Sequence, residues 1–310
     1  MNTRISSLAI FIALWSAIGC AAPDVVDDSQ QHQPQLLEPG IWEVDTGERW
    51  SIDEWIDEVA DATFIVVGES HGTPFDHQVQ YEIYEGLVEV DPEPVALGLE
   101  MMEYRFQDAV DAYVAGDIDE VQMLRDVKWD ERWGVDEELY APMWRLAREE
   151  RQPVVALNAR RELVSEVGEV GIEGLDAGQR GELPEIDTDD QAYREHLRSI
   201  FAAHGAGDDD EALDRFFEAQ LVWDETMAQQ AFEFVDERDD VSQMVILTGR
   251  GHMEGGFGIP PRLVRRGASE ASVVTIVPVV TEGPRAEMME EYRNLEKLRD
   301  DDVADFVWLE

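Results

Sequence analysis

Six histidines serve the 310 residues of this chain, and two of them, His71 and His77, fall in one short stretch, FIVVGESHGTPFDHQVQ (Phe64 to Gln80), beside Glu69 and Asp76. A carboxylate and an imidazole sharing a cleft can exchange a proton, orient one another or hold a metal ion. Three further apolar runs end the same way. Glu100 closes PVALGLE, Asn158 closes PVVALN, and Arg250 and His252 follow QMVILTG. In the alternation Glu69-Ser70-His71 the carboxylate and the imidazole share one side of an extended chain and Ser70 takes the other, so a serine nucleophile is not the first choice. The candidate catalytic set is therefore Glu69, His71, Glu100 and His252. One glutamate would act as general base on water, with the imidazoles as acid and oxyanion stabilisers. Alternatively, the same four residues would hold a divalent metal for hydrolysis. His-Glu-x-x-His and the phosphate loop are both missing from the sequence.

Plainer roles stand beside these. Glu69 or Glu100 could simply accept backbone amide hydrogens at a helix start. His77 sits two residues after Phe75, off the apolar stripe, which suits a supporting or solvated group. His196 and His204, in acidic helical surroundings, read as solvated, and His32 as a linker residue.

The elements that must position these residues are short apolar runs alternating with helical patterns, which is the signature of βα units. Strands are expected at Thr63 to Gly68, Pro94 to Glu100, Pro153 to Asn158, Gln243 to Gly249 and Ala271 to Val279. The fold class is thus α/β, a mainly parallel or mixed central sheet flanked by helices, with a helical insertion over about 160–237. Ligands of such sheets gather beyond the carboxyl ends of the strands, where the polar tails converge.

Phe75, Val79, Ile83 and Leu87 recur every fourth residue behind Thr73, Pro74 and Asp76, which approximates a capping box with proline at the first helical position. Phe106, Val110 and Tyr113 mark another helix, as do Leu139, Met143 and Leu146. Within the insertion, Leu197 with Phe201, and Leu213, Phe217 and Leu221, read as helical. The Gly- and Asp-rich stretch from Val167 to Asp190 reads as a loop that could lie over the sheet edge. Gln220, Asp224, Met227 and Ala231 fall at helical spacing. A buried aspartate needs a partner, so Asp224 would orient His252 or an arginine of the cleft, if it is not one more surface carboxylate. Trp129, Trp133, Tyr140 and Trp144 form an aromatic group suited to core, or to the wall of a pocket for a flat ligand.

With 24 basic against 70 acidic residues the formal net charge is −46, a surface that repels nucleic acid and anionic lipid headgroups. Lys128 and Lys297 are the only lysines. Such a balance suits a protein kept soluble in concentrated salt. Near the N-terminus, Arg4, the apolar LAIFIALW and the small residues before Cys20 read as a signal peptide over 1–19 whose cysteine becomes a lipidated first residue. The alternative is an ordinary signal peptide with an incidental cysteine. The polar, Pro- and Gln-rich stretch over 20–40 reads as a tether, leaving 41–310 as the domain. Cys20 is the only cysteine, so no disulfide or thiolate metal site is expected.

Taken in order, VVGESHGTPFDHQ, LGLEMMEYRFQDAVDAYVAGDIDE, WDERWG, YAPMWRLAREERQPVVALNA, QLVWDETMA, LTGRGHMEGGFGIP and ADFVW resemble the ChaN family of haem-binding uptake proteins, within the Tiki superfamily that also takes in erythromycin-esterase-like hydrolases and TraB-type proteins. The resemblance implies an α/β domain on a mixed sheet, a lipoprotein or periplasmic location in the cell envelope, and a role in haem or iron acquisition. Glu69 and His71 match the family's Gly-Glu-x-His turn, Glu100 its Leu-x-Glu-Met, Asn158 its Ala-x-Asn, and Gly251 with His252 its late Gly-His. Where that family tends to continue with Asp-Asn, this chain has Gly72-Thr73, closer to the esterase-like branch.

Haem would be ligated by a tyrosine (Tyr104, Tyr113 or Tyr140) or a histidine, with the macrocycle against aromatics. His77, Asn158, Asp224 and Arg250 complete the expected ligand-binding set. The expected partners are haem or another small ligand, the membrane through the lipid anchor alone, and a second copy of the chain.

At molar salt the reach of a charge shrinks to about 3 Å, which quenches repulsion among the surface carboxylates. The melting temperature is accordingly expected to rise between low and molar salt; a flat or falling profile would refute a salt-adapted surface.

Overall fold

The computed structural model describes residues 36–203, 209–282 and 286–310. The signal segment, Cys20, His32 and His204 lie outside them, as does the tether up to residue 35. Eight strands form one sheet: β1 Gly40–Glu43, β2 Arg49–Trp50, β3 Phe64–Glu69, β4 Val95–Glu103, β5 Val154–Asn158, β6 Gln243–Gly249, β7 Val273–Val279 and β8 Phe306–Leu309. Their order is β2-β1-β8-β7-β3-β6-β4-β5. The run from β8 to β5 is parallel, and β1 joins β8 and β2 antiparallel. The sheet is therefore mixed.

Every residue of β3, β4 and β6 is buried. Ile65 and Val67 pack on one face with Leu97, Leu99, Val245 and Leu247. Phe64 and Val66 pack on the other with Ala96, Met244 and Ile246. Helices cover both faces, so alternate side chains are equally apolar and each strand reads as an unbroken run.

The first face is covered by α1 Ile52–Val59, α2 Pro74–Val90, α3 Gln107–Ala115, α4 Glu120–Asp126, α5 Trp129–Arg132 and α6 Ala141–Glu150. The insertion supplies α7 Arg161–Gly174, α8 Ala177–Arg180, α9 Gln191–Ala203 and α10 Asp210–Asp236. The second face is covered by α10 with α11 Ile259–Arg266 and α12 Leu295–Asp300.

The sequence reading needs four adjustments. The stretch 167–190 is helical over its first part, because Val167 and Leu175 bury themselves against Ala219 and Val222 of α10; Gly171, at φ 73°, kinks α7 there. Thr73 stands at the start of α2 but its side chain makes no capping hydrogen bond. Asp76 instead accepts from the Ser70 amide at 2.7 Å, bracing the turn that carries His71. β4 does not stop at Glu100 but runs on to Glu103 across an irregularity in its pairing with β5. The domain also begins before residue 41, since Leu36 bridges Asn294 and Leu37 is fully buried.

Among the described residues no helix is long and apolar enough to cross a membrane. What matters for the site is the placing of β6. It enters between β3 and β4, so the tails bearing Glu69, His252 and Glu100 lie side by side.

Candidate functional site

Glu69, the last residue of β3, is 1% exposed. Its Oε1 accepts from Tyr140 Oη at 2.6 Å and from His71 Nδ1 at 2.6 Å. Gln80 Nε2 donates to Oε2 at 2.7 Å. With its nitrogen spent in this way, Gln80 offers Oε1 to His77 Nδ1 at 3.0 Å, which assigns the His77 proton to Nδ1. His77 is buried, stacks edge-on against Tyr140, and its pKa is lowered by burial. It is a neutral supporting group, as the sequence suggested. The side chain of His71 is 41% exposed. Trp133 packs edge-on against the ring at 4.6 Å, and Nε2 makes no hydrogen bond to a described residue.

Glu100 lies between the two histidines of the cleft. Its Oε2 accepts from Thr248 Oγ1 at 2.7 Å and from the Gly249 amide at 2.5 Å, and His252 Nε2 stands 3.5 Å from Oε1. Burial alone would raise the Glu100 pKa, but the charges of His252 and His71 and the Gly249 amide outweigh it and hold the carboxyl at about 2. His252 sits on the turn after β6. Its Nδ1 donates to Asp224 Oδ1 at 2.6 Å, and Tyr193 Oη donates to Asp224 Oδ2 at 2.8 Å. Burial pulls the His252 pKa down, yet Glu100 and Asp224 together raise it to about 10. His71 is shifted the same way, its burial outweighed by the Glu69 hydrogen bond and the Glu100 charge. Two imidazole–carboxylate pairs thus flank one buried carboxylate.

Glycine at 249 permits a close approach. A Cβ there would lie 3.0 Å from His71 Cε1 and 3.1 Å from Nε2, so His71 rests directly on the β6 backbone.

The other expected residues are placed as follows. Asn158 donates Nδ2 to the Glu100 carbonyl at 2.8 Å, fixing the irregular end of β4. Asp224 orients His252 from α10, on the face its helical spacing indicated. Arg250 turns away: its guanidinium donates to Pro278 O at 2.9 Å, lies 3.7 Å from Asp76 and covers the Tyr292 ring. It ties the sheet end to α2.

Tyr140 is fully buried and committed to Glu69, with a pKa pushed well up by burial. Tyr113 is buried beneath Arg148. Neither is presented to a ligand. Tyr104 is half-buried just beyond β4, and no described residue anchors its hydroxyl. His196 is only partly solvated: it packs beside the stacked rings of Tyr193 and Phe257, 4.8 Å from Phe257, and partial burial lowers its pKa. Glu69, with both oxygens filled, orients His71 and is not free to act as a base.

The sequence reading missed Gln80 and Thr248. The signal for Gln80 was its i, i+3 spacing from His77 on α2; Thr248 lay unremarked inside a strand. Among the described residues no group of three or more His, Cys, Asp or Glu is arranged to hold a metal ion. The divalent-metal alternative therefore gains no support.

Residues 55–263 match the family described as haem-binding uptake, Tiki superfamily, ChaN. The fold is similar to that of ChaN of Campylobacter jejuni, a structure described as showing cofacial haem binding, with a TM-score of 0.65, 18% identity, and 86% of this chain and 94% of that one covered. At that identity the likeness concerns the fold. A mutant erythromycin esterase in its open conformation aligns with a TM-score of 0.47 and 12% identity over 79% of this chain and 77% of its own. No curated protein matches the chain.

Because its folded-state pKa is raised, His252 adds stability that is complete below its ordinary value of 6.5 and is lost as pH climbs through about 10. Asp224→Asn is expected to bring the His252 titration, followed by NMR, down toward the ordinary value. Its cost in chemical denaturation should be largest near pH 6 and shrink toward pH 10. An unmoved titration would show that Asp224 does not set the charge of His252.

Proposed function

As this chain belongs to the ChaN family of haem-binding uptake proteins in the Tiki superfamily, we propose that it binds haem at the carboxyl edge of its sheet, with His71 presenting Nε2 to the iron. The observation that carries the reading is the contrast in exposure among the candidate ligands. His71 has a side chain 41% exposed, against 13% for His252 and 3% for His77, and Tyr140 is fully buried. A ligating imidazole is ordinarily held by a carboxylate on its other nitrogen, which fixes the ring and raises its basicity; Glu69 does this for His71 at 2.6 Å. Trp133, edge-on to the same ring, offers an aromatic wall for a macrocycle. When bound, haem supplies the iron centre; the chain holds it and orients His71.

Glu69 and Glu100 favour the protonated ring, so ligation must release a proton. Haem affinity is therefore expected to climb with pH through the raised His71 pKa. We further propose that the protein works outside the cytoplasm in iron uptake, tethered through a lipid on Cys20. The leader-like N-terminus and the family's haem-uptake role support this.

Protein mixed with haem and desalted is expected to keep a Soret band at one-to-one or two-to-two stoichiometry; His71→Ala is expected to lose it and Tyr104→Phe to retain it. No retention by the unaltered protein would end the haem reading, and loss in Tyr104→Phe alone would move the ligand to Tyr104.

One observation favours a second reading: the Asp224–His252 pair on Glu100 is more machinery than an axial ligand needs. In that reading Glu100 Oε1 would take the proton of a water adding to the ester carbonyl, a weak base given its pKa of about 2, while His71 and His252 as charged donors stabilise the resulting oxyanion. Ester hydrolysis measured with p-nitrophenyl acetate is expected to fall by about 10²–10⁴ in Glu100→Gln. A rate untouched by that change would remove the hydrolytic reading.

A further inference from the structure

Trp223 of α10 packs edge-on against His252, with ring centroids 6.1 Å apart. It also lines a cavity of about 570 Å³ between α7, α9 and α10, together with Val164, Phe201, Phe216 and Ala219. Phe201 and Phe216 lean together at 5.5 Å to make one wall. The volume is that of a small-molecule pocket.

The charge of the lining is out of keeping with the protein. In a chain with 70 acidic residues, no Asp or Glu lines this cavity among the described residues, whereas Arg161 and Arg215 both do. Both guanidiniums have loose employment. Arg161 Nη1 donates to the Glu131 carbonyl at 2.9 Å. Arg215 Nη1 meets Glu211 at 2.7 Å, but that carboxylate is 86% exposed, and such a surface pair is weak enough to be exchanged for a ligand.

From the apolar walls and the paired arginines we infer that this cavity binds an apolar organic anion, an aromatic or acyl molecule carrying a carboxylate or sulfonate. The rings take the apolar body and the guanidiniums the charge. The site does not depend on where haem is held, because its residues are separate from His71 and Glu69.

Two fluorescent probes isolate the two halves of the claim: 8-anilinonaphthalene-1-sulfonate, and N-phenyl-1-naphthylamine, which has the same rings without the charge. The sulfonate is expected to bind at least about tenfold tighter, the worth of one charge-assisted hydrogen bond. The double variant Arg161→Gln/Arg215→Gln should erase that preference and leave the neutral probe unchanged. Gly168 also lines the cavity, and a Cβ there would meet nothing within 4 Å. Gly168→Trp therefore fills the space without a clash at the backbone and should abolish binding of both probes, with circular dichroism confirming the fold. Equal affinities in the unaltered protein, a preference that survives the arginine changes, or sulfonate binding that survives Gly168→Trp would each overturn the inference.

Discussion

A carboxylate cannot leave water without partners to replace it, and several, Glu69, Glu100 and Asp224 among them, are buried at the carboxyl edge of this sheet. The surrounding architecture answers that requirement. β6 has to lie between β3 and β4, because the Gly249 amide and the Thr248 hydroxyl are the donors that satisfy Glu100. The turn beyond β6 has to bring His252 back over Glu100. α10 is long enough to deliver Asp224 to the far side of that imidazole while its other faces pack against α7, α9 and α11.

The same requirement explains why the supporting groups are so closely linked. Tyr140 from the start of α6 and Gln80 from α2 both spend their donors on Glu69. Helices that cover one face of the sheet are thereby tied to its edge. Beside them, Arg132 reaches Glu103 at 3.3 Å and Glu162 at 2.6 Å, which anchors the segment carrying Trp133 to β4 and α7. Charges in such a network are coupled: Glu69 and Glu100 draw a proton toward His71, Glu100 and Asp224 draw one to His252, and the two imidazoles in turn hold Glu100 ionised.

The parts of this arrangement that were legible in the sequence were those set by simple periodicities. Five strands, β3 to β7, stood out because burial on both faces makes them nearly continuous apolar runs. β1, β2 and β8 did not, since GIWE, RW and FVWL are too short for a pattern. Asp224 was legible from its spacing with Gln220, Met227 and Ala231, because a polar residue on a buried helical face demands a partner. The kinked end of α7 was hidden by its glycines. The division of labour between Glu69 and Glu100 could not be read at all, because it turns on which oxygens are already filled. The partial covering of His196 was hidden for a related reason: the ring it packs against, Phe257, is far away in sequence.

The absence of a side chain at Gly249 separates the fixed from the adjustable parts of the cleft. On one side, His71 leans on main chain whose position is dictated by hydrogen bonding to β3 and β4. On the other it meets Trp133, a side chain on a connecting segment outside the sheet. In this chain the floor beneath His71 is therefore set by the sheet, while the wall beside it could be reshaped through the Trp133 segment without disturbing a strand.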